Sequence, residues 1–520
     1  MFHVLVITFE IAMKPCLINN VSDKSSNVPQ IQRNFSFKGD VLRLVTGTGA
    51  AQIISILGSP IITRLYSPVE YGVAALFAAM AGTLGALTCL AYEQSIILPD
   101  NDREAANLLG VSLITTVLIT IITFLIISLS GGYLLRLVNA PKLMPYLWLM
   151  PITILIRGIS VAFNSWNTRS KHFARLSFAQ VTTQLTTTST TLAGGFAGYA
   201  NGSFMILSAI VGQTLATIIL VWQSWLDVGK FMISNLTWRE MWTGAKRYRK
   251  FPLIESWSGL LNTASVQLPS MMFGIFFSPI TVGLYALGYR VVSTPMALLG
   301  GAIGQVFFQR ASAAKSDSSL EMVVISAFEH LLLIAVYPFL LLLLIGPELF
   351  TFVFGAKWSM AGVFVQILAP WLFVVFLGSP LSSLTSVLEL QEVGLMLNIG
   401  LLVTRLASFI TGGLIGDLIL TMILYSMSGA LIWGWFCFYL MHKSGVNISK
   451  LWAVIASRFF TAVIFLLPII ACKWVLSFRM IIVLAVAVAS ASCYYVFIYI
   501  RDPQFRNNVQ GLISQIKKVL

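Results

Sequence analysis

Long apolar segments separated by short polar loops run along almost the whole chain, from Val41 to Ile500. About fourteen of them are roughly 20 to 25 residues long, enough for a helix to cross the roughly 30 Å hydrocarbon core of a bilayer. Because lipid offers no hydrogen-bond partner to the backbone, such segments span as helices. The pattern predicts an all-α, polytopic membrane protein with about fourteen transmembrane helices.

The predicted helices form two groups of six followed by a pair, because the longest polar linker, 227–250, comes after the sixth. We therefore predict a tail at 1–40, a first lobe at 41–226, a basic linker at 227–250, a second lobe at 251–441, two further helices in 442–500 and a tail at 501–520. The predicted spans are 41–63, 70–92, 107–130, 144–166, 174–198, 203–226, 251–276, 280–304, 321–345, 360–386, 393–413, 418–441, 451–472 and 477–500.

Composition and charge agree with a membrane bundle. Hydrophobic residues make up 57% of the chain and charged residues only 10%, far from the soluble average of about a quarter charged. About 23 of the 33 Lys and Arg residues lie in the two tails and the even-numbered loops. The positive-inside rule then places both termini in the cytoplasm. The net charge of +14 is thereby explained by topology, with no nucleic acid expected as partner.

The five cysteines show no metal-ligand spacing, so they are interpreted as small apolar residues and no metal site is predicted. The segment from Phe2 to Ile11 lacks a basic leader and a small-residue cleavage site, so it is not interpreted as a signal peptide. Translation from Met1 and from Met13 are both compatible with the sequence.

A short repeat supports the division into two halves. Ser67-Pro68, with Gly72, Ala75 and Leu76 after it, recurs 211 positions later as Ser278-Pro279, with Gly283, Ala286 and Leu287. Both copies lie at the turn between the first two helices of a half. Six helices per half give the halves the same orientation across the membrane, as in transporters that work by alternating access.

Three arginines lie deep inside predicted spans: Arg157, Arg290 and Arg405. Buried charges in membranes are costly and usually face protein or water. Each arginine shares a helix face with small or polar residues. These are Thr153, Ser160 and Asn164 beside Arg157; Ser293, Thr294, Ala297, Gly301 and Gly304 beside Arg290; and Asn398, Ser408 and Gly412 beside Arg405.

Two interpretations of these arginines are open. They either hold helices together by pairing with an acid or with backbone carbonyls, or they line a wet cavity and bind an anionic substrate such as a diphosphate. The scarcity of acids at similar depth favours substrate binding. Groups that titrate near the cytoplasmic helix ends are Glu255, Glu329 and His330, which are candidates for coupling to protons or sodium ions. No other cofactor is expected.

The sequence lacks two features that other functions require. It has no P-loop, so it is not an ATP-driven pump by itself. No predicted external loop exceeds about 15 residues, which leaves no room for the large loop of membrane glycosyltransferases and polymerases. We therefore do not expect an enzyme.

Several motifs resemble those of bacterial polysaccharide (O-antigen type) flippases of the multidrug/oligosaccharidyl-lipid/polysaccharide exporter superfamily, and the resemblance extends over 38–500. The stretch from Val282 to Val292, continued from Gly304 to Ala311, is similar to the eighth-helix region of that family. The remaining matches are Tyr92-Glu-Gln with Ile96 to Pro99; Phe354-Gly355 with Trp358, Ala361, Gly362 and Leu368-Ala-Pro370; and Ser379-Pro380-Leu381.

The resemblance implies a MATE-like fold of two six-helix lobes around a cationic cavity in the bacterial inner membrane. It further implies that an undecaprenyl-diphosphate-linked oligosaccharide is moved to the periplasmic leaflet for the synthesis of surface polysaccharide such as O-antigen or exopolysaccharide. Partners would be this lipid-linked oligosaccharide, membrane lipid, a polysaccharide polymerase and export machinery. Arg290 occupies a motif position, whereas Arg157 and Arg405 rest on their depth alone.

The sequence leaves three alternatives. A multidrug or small-molecule cation antiporter of the same fold would need buried acids in its cavity, whereas this chain offers arginines. A membrane glycosyltransferase or polymerase is the less expected second alternative. The third is a scaffold of an export complex without transport of its own.

Overall fold

The computed structural model describes residues 37–137, 141–316, 319–476, 478–503, 505–506 and 510. All regular elements in this part of the chain are helical, which confirms the all-α class. The predicted tail at 1–40, except for its last four residues, lies outside the described residues, and so does most of the tail at 501–520. Both candidate start residues, Met1 and Met13, also lie outside them.

Seventeen α-helices follow one another in the described residues. They are α1 (Phe37–Leu65), α2 (Pro68–Gly85), α3 (Tyr92–Ser95), α4 (Asp102–Leu137), α5 (Leu149–Arg169), α6 (Phe173–Phe196), α7 (Gly202–Asn235), α8 (Trp238–Arg247), α9 (Ser256–Phe276), α10 (Pro279–Ser316), α11 (Leu320–Phe354), α12 (Ser359–Leu381), α13 (Leu384–Val387), α14 (Gln391–Ile415), α15 (Leu418–Lys443), α16 (Ile448–Ile470) and α17 (Met480–Arg501). Short 3₁₀ turns at Pro141–Tyr146 and Ala356–Trp358 and π-helical turns at Phe251–Glu255 and Ala471–Val475 complete the described elements.

Every predicted span overlaps at least one of these helices, which makes the chain a multi-pass membrane protein. Ten described helices are long and apolar enough to cross a bilayer. The predicted spans on α1, α2, α6 and α9 are not among these ten. Helices α1, α6 and α9 carry many hydroxyl, amide and other polar residues, and α2 carries Glu70 in its first turn. The predicted number of fourteen spans is therefore not confirmed.

The contacts divide the chain into two compact units, one ending at Ala286 and the other beginning at Leu287. In the earlier unit, α1 packs along α6, α6 along α7, and α4 along α5, while α9 packs against α2. In the later unit, α12 packs between α11 and α15, and α14 packs along α15. The unit boundary lies inside α10, so α9 groups with the helices of the predicted first lobe.

The segment predicted as a basic linker, 227–250, is mostly helical. Helix α7 continues to Asn235, and α8 then lies against the start of α4. Two ion pairs hold it there: Arg103 Nη2 to Glu240 Oε1 at 2.6 Å, and Arg247 Nη1 to Glu104 Oε1 at 2.8 Å. The tryptophans of α8, Trp238 and Trp242, are exposed. Basic residues and exposed tryptophans on one helix are typical of a helix lying at a membrane interface.

The two copies of the Ser-Pro repeat have the same local structure and touch each other within the earlier unit. Ser67 caps α2 by accepting a hydrogen bond from the Glu70 N–H, and Ser278 likewise accepts one from the Thr281 N–H. A Cβ on Gly72 would lie 1.7 Å from the Pro279 carbonyl oxygen, and a Cβ on Gly283 would lie 2.0 Å from that of Pro68. Only glycine permits this reciprocal backbone contact.

Helix α11 is kinked, and side chains from other helices bind the carbonyls that the kink exposes. Pro347 has no N–H to donate to the Leu343 carbonyl, and Ile345 has a non-helical ψ of 24°. The Gln366 side-chain amide donates to that carbonyl at 2.7 Å. The Lys473 ammonium donates to the Leu344 carbonyl, also at 2.7 Å. The kink therefore leaves neither carbonyl unsatisfied in the apolar interior.

A second proline in α11 fixes the last helix in place. Pro338 leaves the Ile334 carbonyl without its helical donor, and the Tyr495 hydroxyl of α17 donates to it at 3.1 Å. The neighbouring Tyr494 hydroxyl donates to the Leu333 carbonyl at 3.0 Å. Since α16 also packs against α11, the last two helices belong structurally to the later unit.

We expect Tyr495→Phe to destabilise the detergent-solubilised protein by about 1 kcal/mol, because the Ile334 carbonyl loses its donor in a dry environment. Thermal unfolding followed by tryptophan fluorescence measures the change. Tyr499→Phe on the same helix is the matched control, since the Tyr499 hydroxyl contacts only the exposed Gln510 side chain among the described residues, at 3.4 Å. Equal stability of the two variants would contradict this role.

Candidate functional site

Arg157, on α5 in the earlier unit, lies against the end of α2. A Cβ on Gly85 would come within 2.6 Å of the Arg157 Cδ, so the arginine stem occupies the space that a larger residue would fill. The side chain is exposed, and no described carboxylate pairs with it. A cation is favoured at this place because the C-terminal carbonyls of a helix carry partial negative charge. Arg157 is thus a partly exposed arginine whose stem is packed against the end of a helix inside the membrane.

The second predicted span, 70–92, is interrupted where Arg157 contacts it. Helix α2 ends at Gly85, and turns lead to the short α3. Leu90 and Ala91 in these turns have φ values of 47° and 58°, a left-handed conformation that non-glycine residues rarely adopt. Interrupted helices in transporters commonly supply backbone groups to substrates and ions. The prediction of one continuous helix over 70–92 was wrong on this point.

Gln267, on α9, is a second polar side chain that packs against this face of α2. Its Nε2 lies 2.8 Å from the position of a Cβ on Gly82, three residues before Gly85. Two glycines one helical turn apart therefore admit an amide from α9 and a guanidinium from α5. Sequence analysis missed Gln267, although a glutamine inside an apolar span is a usable signal.

In the later unit, Arg405 on α14 lies over an aromatic cluster. Its guanidinium carbon is 5.8 Å from the centroid of the Trp371 ring. Trp371 is 3% exposed, stacks on Tyr289 at 6.3 Å and meets Tyr425 edge-on at 4.9 Å. A cation over a tryptophan face is attracted by the ring's negative charge. The cluster therefore gives the Arg405 guanidinium a fixed position, and no sequence pattern predicted these aromatic residues.

Arg290 follows Tyr289 directly on α10 and is exposed. The structure thus links two of the predicted arginines within one unit: Arg405 contacts Trp371, Trp371 stacks on Tyr289, and Tyr289 adjoins Arg290. Arg157 belongs to the other unit. A role of the three arginines in binding substrate stays a prediction.

The predicted titrating residues lie in three different environments. Glu255 ends the π-helical turn before α9 and is exposed. The His330 Nδ1 contacts the Ser326 carbonyl at 2.6 Å on its own helix. Glu329 lines a pocket together with Arg458. Coupling through any of them stays a prediction.

Glu93, on α3, is a titrating residue that sequence analysis did not select. Burial raises the pKa of its carboxyl, and its Oε2 has no hydrogen-bond partner among the described residues. It belongs to the Tyr92-Glu-Gln motif used above for the family resemblance. Its position next to the interruption of the second span makes it a further candidate for coupling.

The helical architecture defines a multi-pass membrane bundle. Two solved structures share the fold. The lipid II flippase MurJ in an inward closed conformation aligns with a TM-score of 0.68 at 12% identity, covering 88% of this chain and 99% of that one. An inward-facing MATE-family multidrug resistance transporter aligns with a TM-score of 0.54 at 15% identity, covering 84% and 99%.

Residues 61–362 match the family model described as polysaccharide biosynthesis protein, and the chain belongs to this family. The teichuronic acid biosynthesis protein TuaB of Bacillus subtilis (strain 168) is 19% identical over 273 residues, which is 52% of this chain. The match spans about half, 53%, of that relative's length. The resemblance found in the sequence is thereby confirmed at the level of the family.

We expect Gly85→Val to displace Arg157 and to lower polysaccharide production in cells that depend on this protein by about tenfold, the size of a typical coupling between contacting residues. In an Arg157→Ala background the same substitution is expected to add little, because the displaced side chain is already absent. Gly49→Val is the matched control, since nothing lies within 4 Å of a Cβ there. Independent, multiplicative effects of Gly85→Val and Arg157→Ala would contradict the contact's role.

Proposed function

We propose that the protein is a flippase that moves an undecaprenyl-diphosphate-linked oligosaccharide across the bacterial inner membrane by alternating access, with both termini in the cytoplasm. Arg157, Arg290 and Arg405 bind the diphosphate. Membership of the polysaccharide biosynthesis family supports a glycan substrate. The fold shared with a lipid II flippase and with a multidrug transporter supports transport rather than synthesis.

The observation that carries the proposal is the position of Arg157. It lies inside a helix apolar enough to span the membrane, its side chain is exposed, and no described carboxylate neutralises it. An uncompensated guanidinium in hydrocarbon costs several kcal/mol, so retaining one favours a negatively charged ligand. A cationic drug would meet repulsion here.

Arg405 suits the same ligand for a different reason. The Arg405 guanidinium is positioned by the Trp371 ring, which is itself packed between Tyr289 and Tyr425. Because the arginine is already held in place, little side-chain entropy is lost when a phosphate binds. Guanidinium groups bind phosphate oxygens through two parallel hydrogen bonds, which a lysine cannot reproduce.

Transport of this substrate requires a cationic path because a diphosphate and its sugars lose their hydration in hydrocarbon. Pairing the diphosphate with arginines offsets part of that desolvation cost, which lowers the barrier. Protons or sodium ions then drive the return of the empty carrier through Glu255 or His330. A polymerase and export machinery use the delivered units.

The test is complementation of a deletion strain with wild type or Arg290→Ala at matched protein abundance. We expect the deletion to abolish surface polysaccharide and to accumulate lipid-linked repeat units inside the cell, and Arg290→Ala to restore less than about a tenth of export, as expected for loss of a charge-assisted phosphate contact. Arg310→Ala is the matched control, because Arg310 is exposed at the other end of the same helix.

Normal polysaccharide in the deletion strain would overturn the proposal and favour a small-molecule antiporter. Full rescue by Arg290→Ala would remove Arg290 from the diphosphate site while leaving the transported substrate unchanged.

A further inference from the structure

A charged pocket of about 540 Å³ lies within the later unit, where α11, α16 and α17 meet. Its polar lining comes from Glu329, Ser457, Arg458, Thr461, Arg501 and Asp502. Glu329 lies in the first third of α11, Arg458 in the first half of α16, and Arg501 ends α17. These are the halves of the helices predicted to face the cytoplasm, so the pocket lies toward that predicted side of the membrane.

The charges around the pocket are not all paired with one another. Arg458 Nη2 lies 3.7 Å from Asp502 Oδ2, a distance too long for a strong charge-assisted hydrogen bond. Glu329 has no ion pair or hydrogen bond among the described residues. The Arg501 guanidinium likewise has no described carboxylate partner and lies 5.6 Å from the centroid of the Phe497 ring. Among the described residues, the pocket thus has one carboxylate, that of Glu329, and one guanidinium, that of Arg501, without an ionic partner.

A ligand that carries one positive and one negative group can pair with both the Glu329 carboxylate and the Arg501 guanidinium. A purely anionic head group would pair with the arginines but be repelled by Glu329 and Asp502. A primary ammonium can donate hydrogen bonds to the Glu329 carboxylate, whereas a quaternary ammonium has no N–H to donate. Leu333, Val454 and Ile498 belong to the apolar part of the wall, which suits the glycerol backbone and the first carbons of acyl chains.

We propose that this pocket binds the head group of a phospholipid carrying a primary ammonium, with the phosphate on Arg501 and Arg458 and the ammonium on Glu329. Glu329 is then a lipid ligand rather than a coupling residue. The bound lipid joins α16 and α17 to α11 beside the Tyr494 hydrogen bond to the Leu333 carbonyl. This proposal stands independently of the transported substrate, because the pocket needs only membrane lipid.

The test uses the purified full-length protein in detergent, incubated with equal amounts of dioleoyl phosphatidylethanolamine and dioleoyl phosphatidylcholine, with bound lipid counted by native mass spectrometry. We expect phosphatidylethanolamine to be retained over phosphatidylcholine by about tenfold, the value of a hydrogen bond to a charged group. Glu329→Gln is expected to abolish this preference. Arg501→Gln is expected to lower retention of both lipids, because both carry the phosphate.

Two controls and one occluding variant complete the experiment. Glu392→Gln and Arg239→Gln change exposed charges elsewhere and are expected to behave as wild type. Ala453→Trp fills the pocket from an exposed position while keeping its charges, and should reduce retention of both lipids even if the charge variants fold poorly. Equal retention of the two lipids by wild type, or a preference unchanged in Glu329→Gln, would overturn the proposal. Preferential retention of phosphatidylglycerol in a parallel mixture would overturn the ammonium assignment.

Discussion

The structure depends on one constraint: every polar group inside the membrane must find a partner within the protein. Helix α11 makes this constraint visible, because its prolines expose carbonyls that hydrocarbon cannot hydrate. Tyr495 binds one of them, and Gln366 and Lys473 bind two others. These bonds come from α17, from α12 and from the turn after α16, so satisfying the kinks of one helix also assembles the helices around it.

The same constraint explains how the arginines are held inside the membrane helices. Arg405 is accommodated by the face of Trp371 and Arg157 by the carbonyl end of α2 beside Gly85. No described carboxylate pairs with Arg157, whereas Glu240 and Glu104 neutralise arginines at the end of the bundle. In a family of polysaccharide biosynthesis proteins, the exposed Arg157 inside an apolar helix supports our proposal of a phosphate-linked glycan rather than a cationic drug.

The sequence predicts the helices well, because hydrocarbon thickness and backbone hydrogen bonding leave few alternatives for a long apolar segment. It also predicts the Ser-Pro repeat, whose two caps have the same form. The sequence did not predict two features that depend on tertiary contacts. These are the interruption at Leu90 and Ala91 and the helix α8 inside the predicted linker. The sequence could not predict that Trp371 contacts Arg405 or that Gln267 packs near Gly82. Contacts between helices leave no periodic pattern in a single sequence.

Transport assays in liposomes test most directly whether the arginines carry a diphosphate-linked glycan across the bilayer. The purified protein would be reconstituted with a fluorescent undecaprenyl-diphosphate oligosaccharide, and dithionite quenching would report how much of it reaches the outer leaflet with time. We predict quenching of nearly all the label with the wild type and of only the fraction initially outside with a variant in which Arg157, Arg290 and Arg405 are replaced by glutamine. Equal movement by the two proteins, or none by a folded wild type supplied with proton and sodium gradients, would contradict the account.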